Sequence, residues 1–293
     1  MRICETAMSE MKGRICLITG ANSGIGKETA IGLAKKGAQV VMAVRNLERG
    51  EKARTDVIEI SGNKAVDLLR CDVSLMSNIR QFAKEFDAKY PKLDVLLNNA
   101  GAVFNKRSMT DEGFERTLAV DYLGPVLLTH ELLPTLRKGG PSMIVNVSSG
   151  LHKNASINLS DMQSEKSYDG MKVYSKAKLM LMMFTYELAR RLEATGITAN
   201  AVMPGFVATN LGKNSDSLLS SIMFRMVRPM QIGAEEGAAT SVYVCSSGEV
   251  KGKTGKCYEK GKEVNSSPLS YDRELQSKLW VKTNELLGTS PDW

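Results

Sequence analysis

Two tyrosines in this chain stand four residues ahead of a lysine: Tyr174 with Lys178, in Val173-Tyr174-Ser175-Lys176-Ala177-Lys178-Leu179, and Tyr168 with Lys172 just upstream. On a helix that spacing puts both side chains on one face, with Cβ atoms about 5–6 Å apart. A phenol beside an ammonium is a candidate proton-transfer acid. Its ordinary pKa near 10 must fall by about three for work near neutral pH, which is roughly 4 kcal/mol. Two charges about 6 Å apart at an effective dielectric of ~20 attract by roughly 2.8 kcal/mol, so one lysine leaves a shortfall. A further positive charge, such as an oxidised nicotinamide ring, would fill it. Spacing alone leaves both pairs open.

The elements that must position such a pair alternate along the chain. Ile15-Cys16-Leu17-Ile18-Thr19 is a short apolar run ending at Gly20, and Ile25 to Lys36 carries a helical pattern closed by Gly37. Strands are expected at Gln39 to Val44, Ala65 to Arg70, Leu93 to Leu97, Met143 to Val147, Thr198 to Met203 and near Gly255 to Tyr258. Helices are expected at Leu47 to Glu59, Ser77 to Lys89, Asp111 to Lys138, Val173 to about Thr195, Ala234 to Ser246 and Leu275 to Leu287. Strands alternating with helices of this length imply βαβ units, hence an α/β fold: a single-domain, doubly wound parallel sheet of Rossmann type with helices on both faces. We expect a polar leader over 1–12, a dinucleotide-binding and catalytic domain over 13–265 and a helical tail packed on it over 266–293.

Composition narrows the function. A chain of 293 residues, 43% hydrophobic and 24% charged, can bury one substantial core. No run approaches the ~18 apolar residues of a membrane span, and Met1 to Met11 has no apolar stretch resembling a signal peptide. The cysteines (Cys4, Cys16, Cys71, Cys245, Cys257) are odd in number and lack metal-ligand spacing, so we expect packing thiols, a reducing compartment and no metal. The formal charge of +7 is spread among acidic residues, which suits solvated helix faces. The one basic run, Lys251 to Lys262, lacks the interleaved aromatics that stack bases, so no nucleic-acid partner is expected. Only His130 and His152 are present; His130 falls in an apolar helical stretch and reads as a core or interface residue.

Thr19-Gly20-Ala21-Asn22-Ser23-Gly24-Ile25-Gly26 joins the first strand to the first helix. Glycines there let the backbone approach a pyrophosphate, whose charge the helix N-terminus meets. The spacing is GxxxGxG. A triphosphate loop is excluded because Ala21 stands where its first glycine would be and Glu28 where its metal-binding hydroxyl would be. At the end of the second strand stands Arg45, followed by Asn46, where a cofactor with a free ribose 2′-hydroxyl usually meets an acid. A planar cation suits the 2′-phosphate of NADP(H). Asp72-Val73 could meet the adenine, although Asp72 could equally cap the next helix. Asn98-Asn99-Ala100-Gly101 places small residues and amides where a nicotinamide ribose would lie.

With these residues in view, the chain resembles the short-chain dehydrogenase/reductase family over nearly its whole length. The resemblance is carried by the Thr19 to Gly26 turn, Asn98 to Gly101, Ser148-Ser149, Tyr174 with Lys178, and Pro204-Gly205 with Thr209. Within the family it is most similar to the retinol-dehydrogenase-like branch, through Ala43-Val44-Arg45-Asn46, Asp161 to Lys166 and Phe184 to Leu192. The resemblance implies an NADP(H)-dependent oxidoreductase, a carbonyl reductase interconverting lipophilic aldehydes or ketones and their alcohols. By it Ser149 would bind the substrate oxygen, Tyr174 would exchange the proton, and Lys178 would bind the nicotinamide ribose. It selects Tyr174 over Tyr168, which precedes Gly170, a poor helix residue. Pro204, Gly205, Val207 and Thr209 would complete the cofactor site.

The family generally has asparagine where this chain has Asp121, in a proton relay to the lysine, so Asp121 joins the catalytic candidates; it could tighten the lysine's protonation or disrupt the relay. The resemblance further implies a lid at Leu218 to Val227 and a homodimer through the Tyr174 and Asp111 to Lys138 helices. Relatives in that branch often carry a membrane anchor; with no apolar run of that kind in this sequence, a cytoplasmic protein is expected, with peripheral membrane contact open to it. Met180, Met182 and Met183 read as core or subunit packing. The competing reading is a dinucleotide-binding regulatory or scaffold protein without turnover, which only Asp121 favours.

Overall fold

The computed structural model describes residues 10–205 and 233–293. Val207, Thr209 and the expected lid at Leu218 to Val227 lie outside the described residues. Eight strands form one sheet in the order β3-β2-β1-β4-β5-β6-β7-β8. They are β1 (Ile15–Thr19), β2 (Gln39–Val44), β3 (Val66–Arg70), β4 (Val95–Asn98), β5 (Ser142–Val147), β6 (Ile197–Met203), β7 (Cys257–Glu259) and β8 (Lys262–Val264). All neighbours pair in parallel except β7 with β8, an antiparallel edge hairpin that the apolar pattern did not announce. Every residue of β1 is buried, as expected of a central strand covered on both faces.

The helices are α1 (Gly24–Lys35), α2 (Leu47–Ser61), α3 (Met76–Lys89), α4 (Gly124–Lys138), α5 (Gly170–Arg191), α6 (Ala234–Ser246) and α7 (Arg273–Leu287). One apolar core holds Ile31, Leu33, Val57 and Val244 beneath α1, α2 and α6. The other holds Phe82, Phe86, Leu128, Leu181 and Trp280 beneath α3, α4, α5 and α7. Strand order reverses between β1 and β4, so the loops leaving their carboxyl ends diverge and open a crevice there.

Two expected helices differ in their starts. The 111–138 segment turns at Asp111–Phe114 and becomes helical at Arg116–Leu118; it then passes through a π-helical turn, Ala119–Leu123, that runs into α4. That wider turn contains Asp121 and is the kind of interruption that gathers at functional sites. Gly124 lies where a Cβ would come 2.2 Å from the Val73 carbonyl, a close approach that only glycine permits. The other helix, α5, begins at Gly170 rather than Val173, capped by the Asp169 carboxylate on the amides of Met171 and Lys172. Gly170 is therefore inside the helix, not before it. Its missing Cβ admits the Phe104 carbonyl, which would otherwise stand 2.4 Å away.

The carboxy-terminal helix α7 packs on α5 and meets the π turn that leads into α4. Trp280 stacks on Phe184 with ring centroids 5.7 Å apart, and Trp293 and the Arg191 guanidinium close over it. Tyr122 bonds Thr283 at 2.7 Å, and Arg80 bonds the Leu287 carbonyl at 2.6 Å. Met180, Met182 and Met183 are wholly buried within the chain, so they pack the core. His130 meets Trp293 edge-on at 4.8 Å. The four described cysteines are buried free thiols; burial pushes Cys71, Cys245 and Cys257 up to about 12.

Candidate active site

A cleft of about 280 Å³ opens along the carboxyl edge of the sheet. The turn after β1 forms its floor. Gly20 and Gly24 have φ of +66° and +54°, in the left-handed region open to glycine. A Cβ on Gly26 would come 2.4 Å from Asn99 Nδ2 and 2.6 Å from the Gly20 carbonyl. Ser23 sits at the N-cap of α1 without a side-chain cap, which leaves the first amides of the helix for a ligand. Lys27 turns away to pair with Asp56 at 2.5 Å, so the lysine that would suggest a phosphate loop serves the surface. An uncapped helix N-terminus over a glycine cradle fits a dinucleotide pyrophosphate.

The predicted residues mostly converge. Gly20, Asn22, Ser23, Gly24, Ile25, Gly26, Arg45, Asp72, Val73, Asn99, Ala100, Gly101, Tyr174, Lys178 and Pro204 all line the cleft. Arg45 is exposed at its edge and has no carboxylate partner among the described residues. Asn46 does not line it; its side chain caps α2 by accepting from Arg49 N at 2.8 Å. Asp72 turns its carboxylate onto Ser74 and does not cap α3, whose first amides bond Glu112 instead. Asn99 ties the cleft together by donating to the Thr19 carbonyl at 2.8 Å. Gly205, Ser149 and the buried Asp121 also lie outside the lining; Ser148, not Ser149, is on the wall. Cys71, Ala102, Phe104, Val120 and Val147 complete the wall. They are apolar residues with no spacing to mark them; only the fold puts them on this wall.

Tyr174 and Lys178 sit on the first turns of α5, 7% and 3% exposed. The Lys178 ammonium lies 5.5 Å from the centre of the Tyr174 ring. It donates to the Val147 carbonyl at 3.0 Å and stands 2.9 Å from Asp121 Oδ1, which is itself 0% exposed. That carboxylate oxygen has no aligned hydrogen bond, so the contact is a charge pair rather than a well-directed bond. The other oxygen accepts from Ala102 N at 3.2 Å. A Cβ on Gly101 would come 2.8 Å from Asp121 Oδ1, so its smallness leaves room for the pair.

Burial works against the Lys178 charge, but Asp121 and then Tyr174 outweigh it and hold the ammonium above the usual lysine value. Burial is also the main influence on Tyr174 and pushes the phenol up. Lys178 pulls it down, Asp121 pushes it up, and the nearby Ser149 hydroxyl pulls it down slightly; the net direction is upward. The pull of the lysine therefore does not outweigh burial, and the phenol stands protonated, as the proton donor.

Ser149 follows β5 and caps a short 3-10 helix, Gly150–Asn154, accepting from Leu151 N at 3.3 Å. Its neighbour Ser148 is buried and donates to the Lys178 carbonyl at 3.1 Å, holding α5 against the sheet. The rival Tyr168 is occupied elsewhere. Its hydroxyl lies 3.0 Å from both the Phe104 carbonyl and the Glu115 carboxylate, burial raises it to about 12, and Lys172 is exposed. Among the described residues no cluster of metal-ligating side chains occurs.

A dinucleotide cradle at the switch point of a doubly wound sheet, with serine, tyrosine and lysine at the ends of β5 and α5, defines a class. The family model for short chain dehydrogenases matches residues 14–218, and the chain belongs to that family. Within it the chain falls in the retinol-dehydrogenase-like branch. It is 38% identical to human retinol dehydrogenase 12 over 98% of this chain and 90% of that protein. It is 39% identical to human retinol dehydrogenase 14 (95% and 87%) and 36% identical to human polyprenol dehydrogenase (94% and 85%). Among solved structures, an uncharacterized protein from Mycobacterium paratuberculosis superposes with a TM-score of 0.79 at 31% identity, over 97% of this chain and 96% of that one. The RhlG/NADP complex from Pseudomonas aeruginosa superposes at 0.69 and 23% identity (87% and 96%), a likeness of fold.

Proposed function

We propose that this dehydrogenase/reductase is NADP(H)-dependent and interconverts a lipophilic aldehyde or ketone and its alcohol, with Tyr174 as proton donor and acceptor. The observation that carries this is the buried Tyr174, Lys178 and Asp121 group, with Tyr174 and Lys178 on the wall of a glycine-cradled cleft and Ser149 at the end of β5 beside it. When bound, the cofactor supplies a hydride at C4 of its nicotinamide. Ser149 Oγ donates to the carbonyl oxygen and orients it. Tyr174 passes its phenolic proton to that oxygen as the alcohol forms, and in the reverse direction takes it back. Lys178 stabilises the phenolate left behind, and Asp121 keeps Lys178 charged.

Arg45 at the cleft edge supports NADP over NAD, because a guanidinium matches the 2′-phosphate in a forked geometry. The apolar Phe104, Val120 and Val147 on the wall support a lipophilic substrate, and the retinol and polyprenol dehydrogenase relatives point the same way. We expect a cytoplasmic enzyme open to contact with a membrane surface; among the described residues no helix is long and apolar enough to cross a membrane. A homodimer through α4 and α5 is part of this reading; α7 also packs on α5.

The test is NADPH binding, followed by intrinsic fluorescence, and then addition of aldehydes of increasing chain length. NADPH consumption that grows with chain length supports the reading. Tight binding without consumption across the whole panel would establish the non-catalytic binder instead.

A further inference from the structure

One ring joins the Ser149 turn to the carboxy-terminal segment. His152 is fully buried on the short helix Gly150–Asn154, 2.6 Å by Nδ1 from the Ser149 carbonyl and 3.0 Å by Nε2 from the Ser267 amide nitrogen. An amide can only donate, so Nε2 carries the lone pair and the proton sits on Nδ1, which donates to Ser149. The tautomer is thus fixed by its two partners. The Ser149 carbonyl also accepts from His152 N at 3.1 Å, while its hydroxyl is turned by Leu151 N. Beyond Ser267 the connection continues into the core. Ser266 Oγ bonds Tyr186 of α5 at 2.7 Å and Ser270 at 2.6 Å, and Gln276 of α7 bonds the Ser270 carbonyl at 2.5 Å.

We propose that His152 is a positioning residue, a two-sided clamp through which the 266–271 segment fixes the peptide plane of Ser149 and so aims its hydroxyl at the substrate oxygen. Nothing else in this arrangement needs a histidine: the ring is out of the cleft, and both nitrogens are spent on backbone groups. Burial lowers its pKa and keeps it in the neutral form that can hold both partners. The inference rests on the proposed reaction only for its kinetic consequence.

Ser267 offers a clean perturbation. Its backbone stands at φ −67° and ψ 146°, already the proline conformation, and its hydroxyl has no partner among the described residues. Ser267→Pro removes the amide donor and places Cδ against Nε2; Ser267→Ala keeps the donor. Steady-state reduction of a long-chain aldehyde should show kcat down about tenfold or more in Ser267→Pro and in His152→Asn, with NADPH affinity within about twofold of wild type. Ser267→Ala should match wild type, and the double variant His152→Asn with Ser267→Pro should be no slower than either single one. Amide hydrogen exchange over residues 149–154 should quicken in Ser267→Pro, and this is read without turnover. A wild type that reduces no aldehyde would overturn the proposed reaction, and the exchange would still decide the clamp. Unchanged exchange, folded Ser267→Pro or His152→Asn enzyme with kcat within twofold of wild type, or multiplying effects in the double variant would overturn the clamp.

Discussion

Replacing Asp121 by Asn removes one charge from a pair that has almost no water around it. At 2.9 Å and an effective dielectric of ~20 the attraction is roughly 6 kcal/mol before the desolvation of both ions is set against it. Removing one partner of such a pair typically costs about 3–5 kcal/mol, because the other charge stays buried. Asparagine keeps the acceptor for Ala102 N, so the low end applies: about 3 kcal/mol, or a fall in Tm of about 6–12 °C. The cost must also depend on pH. In the native chain Lys178 is held above its unfolded value, so the stability it contributes is fully present below pH ~10 and is lost as pH rises through the raised value. Without Asp121 the leading influence left on Lys178 is burial, which lowers it. The unfolded variant then binds more protons than the folded one, and its stability climbs with pH. The gap between the two proteins should be widest near pH 7.5 and shrink by pH 10. Thermal melts by near-ultraviolet circular dichroism at those two pH values check this. A gap below about 1 kcal/mol at pH 7.5, or one equal at both values, refutes the charged pair.

Arg45→Asp should lower the ratio of NADPH to NADH efficiency by about tenfold or more, since it replaces a charge-assisted contact by repulsion; steady-state kinetics with both cofactors read it. Trp280→Ala removes the ring that joins α7 to Phe184 and Arg191, with an expected loss of about 3–5 kcal/mol in denaturant unfolding and no change in NADPH affinity. The neutral His152 predicts an acid weakness. Burial lowers it, the Ser149 carbonyl and Glu259 oppose and Lys153 adds, so the folded state takes up its proton later than the unfolded chain does. Stability should therefore fall as pH drops below about 6.5 toward that lowered value, and melts of His152→Asn should lack this limb.

The layout of sheet and helices was legible because buried parallel strands read as apolar runs and the covering helices as amphipathic ones. The glycine turn was legible for a different reason: Gly20, Gly24 and Gly26 stand where backbone must turn or touch. Choosing Tyr174 over Tyr168 was possible only through the resemblance. Tyr168 does lie in the loop ahead of the helix, although that helix starts at Gly170, earlier than expected, and the Tyr168 hydroxyl is taken up by Glu115 and Phe104. The π turn around Asp121 and the link from His152 to Ser267 could not be read from spacing. Each depends on contacts across long stretches of chain, 115 residues in the second case. Which helix the tail meets, α5 through Trp280 on Phe184, likewise emerges only from the folded chain.

The account stands most directly on hydride and proton reaching one carbonyl. NADPH deuterated at the transferring C4 position, incubated with the enzyme and the aldehyde of retinol, is the decisive material. The account predicts an alcohol carrying deuterium on its carbinol carbon, formed at least about a hundredfold more slowly by Tyr174→Phe at unchanged NADPH affinity. Alcohol without the label, or a Tyr174→Phe enzyme as fast as wild type, would contradict it.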